Sequence, residues 1–363
     1  MSLTPAQSFS CVGLVLVLMS CQAPPPPKNP APITSSTPSA GAERSVIVAA
    51  PVAEVKRKET LKVLGLGHAP FSPLRHLLTP GQTARHTYEL QTYVGIVIAG
   101  QRFPLRPMPK ARLIVQTRLR STRAAESAHA EFLVKEAESI GVDAFDPPVA
   151  QVAEEQMREI TGLMVDLTVS VTGHVSKVVV TSPHGIRPAT QQLVDVIAEA
   201  FQDSIATFPQ EPVGPGARWQ VTRAITMGGI AMWRRTTYTL ESRDVSRITL
   251  AAKHQYRGKP QPMPLIDAPK GSSARLESLS GHGTLAQQYN VKTATIMSAS
   301  ETMLELDYTY RDKDADRALG MRMRSRIDVK PDVASLRKKG AKDARPPARG
   351  HPGPKPPREP TQP

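Results

Sequence analysis

From residue 61 onward the chain repeats one signature: apolar and polar side chains alternate at every second position, and short runs rich in glycine, proline, asparagine or aspartate interrupt them. A strand points successive side chains to opposite faces, so this period predicts half-buried strands near residues 61–66, 84–98, 111–121, 163–172 and 175–181. The clearest pair is a hairpin. Leu167, Val169 and Val171 alternate with Thr168, Ser170 and Thr172, Gly173-His174 supplies a two-residue turn of the Gly-first type, and Val178 and Val180 return on the apolar face. His174 is therefore expected to serve as a turn residue. Over residues 188–208 the period changes: Leu193, Ile197, Phe201, Ile205 and Phe208 recur at intervals of four, four, four and three, the stripe of an amphipathic helix packed on a sheet. Asp195, Glu199 and Asp203 recur every fourth residue on another face, which reads as a wetted surface or, alternatively, a docking strip for a basic partner or the protein's own tail. A second, weaker helix is predicted over 148–160. The stretch 124–140 stays open between the two: Ala-rich like a helix, but with Phe132-Leu133-Val134 suited to a strand.

Past Phe208, the run from Pro209 to Trp219 holds two breakers and a turn, Pro212-Val213-Gly214-Pro215-Gly216, and feeds a strand that begins at Arg218. Strands are expected over 232–240, 246–256, 274–288, 302–311 and 321–329, joined in succession and hence antiparallel. The last two carry a register. Leu304, Leu306, Tyr308 and Tyr310 share one face with Met321, Met323 and Ile327 across the pair, so positions summing to 631 set Glu305 opposite Arg326, Asp307 opposite Arg324 and Thr309 opposite Arg322. This neutralises an arginine row that alone would suggest phosphate binding. Asp312, Asp314 and Asp316 resemble the opening of a calcium-binding EF-hand loop, yet Arg317 stands at the glycine position and Met323 at the bidentate glutamate, so a hairpin loop is expected.

Composition changes the picture at the ends. Aromatics make up 4% of the chain, so aliphatic residues and methionine must fill the core. Fifteen of the 35 prolines crowd into residues 24–40 and 346–363, which predicts disordered termini. The formal charge of +14 invites a nucleic-acid reading, but eight basic residues from Arg337 to the end against two acidic ones put +6 of it in the tail. That tail lacks the aromatics that stack on bases, so no nucleic-acid partner is expected.

Residues 11–19 form an apolar run too short to span a bilayer and suited to the core of a signal peptide. It ends in Leu18-Met19-Ser20-Cys21, which resembles the lipobox of bacterial lipoproteins: a branched apolar residue, a middle position, a small residue, then cysteine. In that family the thiol receives diacylglycerol, the signal is cut before it and the new amino terminus is acylated, so the resemblance implies lipidation of Cys21. Met19 and the absence of Lys or Arg in the first ten residues depart from the usual pattern. Cleavage there would remove Cys11 and leave Cys21 as the sole cysteine, which excludes an intramolecular disulfide. Gln22 in place of aspartate points, by the enteric sorting rule, to the outer membrane.

The expected organisation is then a signal peptide over 1–20, a Pro/Ala/Ser-rich tether over 21–58, a β-rich soluble domain over 59–333, either one body or two subdomains meeting near 183–215, and a basic Pro-rich tail over 334–363. The fold class expected is α+β: a mostly antiparallel, curved or half-barrel-like sheet with one long amphipathic helix packed on it. The Pro212–Trp219 turn resembles one in uncharacterised bacterial lipoproteins, and the order of elements is distantly similar to half-barrel lipoprotein carriers, which hold acyl chains. No Gly-x-Ser-x-Gly, Walker A, His-Glu-x-x-His or Cys-x-x-Cys occurs, and single histidines (His68, His76, His86, His129, His254) form no constellation, so no enzyme, cofactor or metal is expected. Two functions remain open: an envelope interaction or scaffold module that meets a protein or cell-wall partner, and a carrier of lipid or another apolar ligand inside the curved sheet, with the 188–208 helix as one wall.

Overall fold

The computed structural model describes residues 59–332, apart from 77, 122–126, 266–267, 270, 291–294 and 313–314. The signal peptide, Cys21, the tether and the basic tail lie outside the described residues.

In chain order the elements are β1 (Glu59–Gly65), β2 (Thr83–Ile98), β3 (Gln101–Arg102), β4 (Arg106–Pro107), β5 (Lys110–Ser121), β6 (Ser127–Ile140), α1 (Pro147–Ile160), β7 (Met164–Ser170), β8 (Val175–Thr181), α2 (Pro188–Asp203), β9 (Arg218–Met227), β10 (Ile230–Arg243), β11 (Arg247–Gly258), β12 (Gln261–Met263), β13 (Ser273–Asn290), β14 (Thr295–Arg311) and β15 (Asp316–Pro331). All strands join one antiparallel sheet that is not closed, in the order β1-β9-β10-β11-β13-β14-β15-β2-β5-β6-β7-β8. Two meanders, β2 to β8 and β9 to β15, are thus connected in sequence through α2 and fused side by side where β15 pairs with β2. The sheet curls far enough that residues from its two ends meet: Glu59 on edge strand β1 and His174 in the β7–β8 loop lie 3.3 Å apart.

The expected class needs correction. With two helices of comparable length against fifteen strands, the protein is mostly β rather than α+β, and the helix over 188–208 is joined by the second one expected over 148–160, which is α1. Each starts with proline in its first turn, where the missing N–H has no intrahelical partner to lose. α2 stops at Asp203, five residues short of the periodic stripe, because the backbone beyond it is engaged elsewhere. Ala206 N–H donates to the Tyr289 hydroxyl at 2.7 Å and Phe208 N–H to the Thr172 carbonyl at 2.7 Å. Phe208 accordingly belongs to a different apolar cluster, with Trp219 and Leu240, from the one that Ile197 and Phe201 enter.

Two further expectations change. Between β7 and β8 the loop runs over residues 171–174, with Gly173 N–H bonded to the Ser170 carbonyl; a bulge at Ser176, between Val175 and Lys177, still sets Leu167 opposite Val178 and Val165 opposite Val180. Between β14 and β15 the register sums to 627, which places Glu305 opposite Arg322 and Glu301 opposite Arg326. The shift of four keeps the faces, since parity is unchanged. It arises because the hairpin closes tightly, with Arg311 opposite Asp316 and their side chains ion-paired, whereas a sum of 631 would need a loop four residues longer. The arginine row is neutralised as expected, by Glu301 and Glu305.

Candidate binding cavity

The face of the sheet that α1 and α2 cover carries three apolar clusters. One lies under the helices on β2 and β5–β8, a second around Trp219 on β9–β13, and a third on β9–β15 around Leu276, Leu306 and Met321. The first and third do not fill the space between them. A cavity of about 160 Å³ remains, walled by Ala153, Gln156 and Met157 of α1 and by Gln192, Leu193 and Val196 of α2, and floored by Leu90, Ile230, Met232, Leu304, Leu306, Met321 and Met323 of the sheet. An apolar void of comparable size, about 150 Å³, is enough to hold a benzene ring. Six of the twelve methionines in the chain, Met108, Met157, Met227, Met232, Met321 and Met323, line it. Unbranched, polarisable thioethers give a wall that adapts to the shape of what it holds. None of the lining residues is ionisable; the polar ones are Thr92, Ser139, Gln156, Gln192 and Ser325.

Beside the cavity runs a buried polar belt. Along β10, Met232 faces the cavity, Arg234 and Thr236 follow, and Tyr238 enters the Trp219 cluster. The same sequence of apolar, polar and apolar repeats on β9 as Ile225, Arg223, Val221 and on β11 as Tyr256, His254, Ala252. Onto the belt α2 lowers Glu199 and Asp203. The Asp203 carboxylate accepts hydrogen bonds from both Arg223 and Arg234, and Glu199 lies 3.9 Å from each guanidinium. Burial alone would loosen the Arg234 proton, but Asp203, Tyr256, Glu199 and Tyr238 outweigh it and raise the pKa. The acidic row expected to be wetted surface is therefore corrected: Glu199 is buried, Asp203 is ion-paired with the sheet, and Asp195 accepts from Gln191 one helical turn away. The missed signal was on the strands. Arg223 and Arg234 occupy positions where the alternation calls for apolar residues, and a guanidinium on a core face needs a carboxylate brought to it.

The histidines do not converge. His254 Nδ1 lies 2.9 Å from the Thr236 hydroxyl, both deeply buried, and burial, helped by the Arg234 charge, lowers its pKa to about 4. This pair does not line the cavity, so no ligand there reaches it. His86 is held neutral by burial, at about 4, and accepts from the Ile296 N–H. His76 is also lowered to about 4 by burial, against its bond to the Ala206 carbonyl, and stacks on Phe208. His129 pairs with Asp166 and His174 with Glu59, whose hydrogen bond raises the His174 pKa against its partial burial. No group of three or more His, Cys, Asp or Glu that could hold a metal ion occurs among the described residues.

The Pro212–Trp219 turn is an architectural joint. Gly214 donates its N–H to the Leu66 carbonyl, and a Cβ there would fall 1.7 Å from the His68 carbonyl oxygen, so only glycine fits. Trp219 is buried, stacks on Tyr238 and donates its indole N–H to the Thr207 carbonyl. None of the described helices is long and apolar enough to cross a membrane. Comparison with known protein families found no family model that matches the chain, and comparison with curated proteins found no match either.

Proposed function

We propose that this protein is a non-enzymatic carrier of a lipid or another apolar ligand, of which the cavity takes a hydrocarbon portion about the size of a benzene ring, lipid-anchored through Cys21 in the cell envelope, at the outer membrane. The supporting observation is the cavity between the two helices and the curved sheet: open, apolar, free of ionisable groups and walled by six methionines. A scaffold needs only its outer surface and gains stability from a filled interior, where each unfilled volume costs packing energy. An unfilled seam in an otherwise tightly buried core therefore favours the carrier over the scaffold. The uncharged lining accepts a hydrocarbon portion and an ester or hydroxyl at most, so any charged headgroup stays outside the mouth.

The test is an organic extract of the full-length protein purified from its native host, read by mass spectrometry, alongside Ala153→Phe, which puts a ring into the cavity from α1. The carrier reading expects lipid near one equivalent from the parent and little from the variant, with both folded by circular dichroism. An empty extract from the parent, or equal lipid from both, refutes it.

A further inference from the structure

The outer face of the sheet, opposite the helices, is divided in two. On β2, β5, β6, β14 and β15 the cations stand among carboxylates: Lys110 and Arg112 with Glu89, Arg120 with Glu131, Arg322 with Glu305, and Arg324 and Arg326 with Glu301. On β1, β9, β10 and β11 the same face carries exposed Lys62, Arg218, Arg235, Lys253 and Arg257, and no carboxylate among the described residues lies within ion-pair distance of them. The registers align these positions in rows across the strands: Lys62, Gln220, Thr237, Lys253; then Thr60, Thr222, Arg235, Gln255; then Ala224, Trp233, Arg257. No Asp or Glu occupies any place in those rows. Trp233 sits directly beside Arg257 and is 45% exposed, whereas Trp219, the other tryptophan, is fully buried.

We infer that this outer face of β1 and β9–β11 docks on an anionic lipid bilayer, with Trp233 at the headgroup boundary and the five cations among the phosphates. An indole with one apolar body and one N–H settles at that boundary, and lysine and arginine beside it meet negative headgroups. Carboxylates would be repelled there; among the described residues of these strands the one exposed carboxylate is Glu241, at the bulge near the far end of β10 and eight residues along the strand from Trp233. A single-stranded nucleic acid would need several aromatics as stacking platforms, and these strands present one. The inference is independent of the cavity, since the docking face lies on the opposite side of the sheet.

The experiment uses the full chain with vesicles of phosphatidylcholine alone or mixed with phosphatidylglycerol, each containing brominated acyl chains that quench nearby indoles. The basic stretch beyond Arg337 will attract anionic vesicles whichever face docks, so binding itself is not the readout; quenching of Trp233 is, and buried Trp219 is the internal reference. Docking expects quenching with anionic vesicles only, abolished by Trp233→Phe and reduced by added salt. Arg235→Gln/Lys253→Gln/Arg257→Gln should raise the lipid needed for half-quenching by at least about tenfold, with about fivefold per cation as the upper scale. Arg324→Gln, on the carboxylate-rich half, should leave it unchanged. Vesicle binding without quenching, equal quenching by neutral vesicles, or an emission change caused by an oligonucleotide instead of vesicles each overturns the inference.

Discussion

Removing the Asp203 carboxylate tests whether α2 is held to the sheet by the buried ion cluster. In Asp203→Ala two guanidiniums, Arg234 at 2% exposure and Arg223 nearly as buried, keep Glu199 as their remaining carboxylate, 3.9 Å from each. Breaking a buried pair by deleting one partner costs roughly 3–5 kcal/mol, because the surviving charge stays desolvated. The Asp203 side chain is 27% exposed, so water offsets part of that loss and the expectation is about 3 kcal/mol. Asp203→Leu/Arg234→Met removes one charge of each sign and leaves Arg223 with Glu199. It is expected to cost clearly less than the sum of its two single variants, since a neutral apolar replacement of a buried pair is often near neutral. Urea unfolding followed by circular dichroism, with the midpoint shift multiplied by the common m-value, reads both quantities. A loss under about 1 kcal/mol for Asp203→Ala, or strict additivity in the double variant, would refute the pinning role.

Acid should weaken the fold above the range where carboxylates titrate. His86 and His254 have folded pKa values near 4 against about 6.5 unfolded, so the unfolded chain binds more protons between those limits and stability, complete above about 6.5, falls as pH drops toward 4. Each contributes at most about 3 kcal/mol of that loss, and His254→Gln should flatten the slope of urea midpoint against pH; an unchanged slope would contradict the burial argument. For the anchor, intact mass of protein from the native host should start at Cys21 and carry diacylglycerol plus an acyl group, and Cys21→Ser should release the protein from membranes; an unmodified sulfur or a start further along the chain would remove the proposed address.

How much was legible follows from which interactions are local. Strand positions came through because alternation and burial are properties of single segments: Leu167 and Val169, and Leu304 and Leu306, face the core as their spacing requires. Of the ambiguous 124–140 stretch, the described part from Ser127 to Ile140 is β6, because its neighbours β5 and β7 supply ladder partners along much of its length, information that no window of that stretch contains. The β14–β15 register was missed by four because charge pairing constrains parity and not offset; the tight Arg311–Asp316 closure decides the offset. The acidic row on α2 was misread for a related reason. Viewed alone, Glu199 and Asp203 are like charges on a helix, and only the curl of the sheet brings Arg223 and Arg234 beneath them. The cavity is the extreme case. Its walls come from residues 90 to 325, and they meet only because β15 pairs with β2 and so joins the start of the first meander to the end of the second, more than 200 residues away along the chain. The one trace such a site leaves in a linear chain is compositional, six methionines scattered from Met108 to Met323, and a flexible side chain becomes evidence of a binding wall only after the fold has gathered its copies around one void.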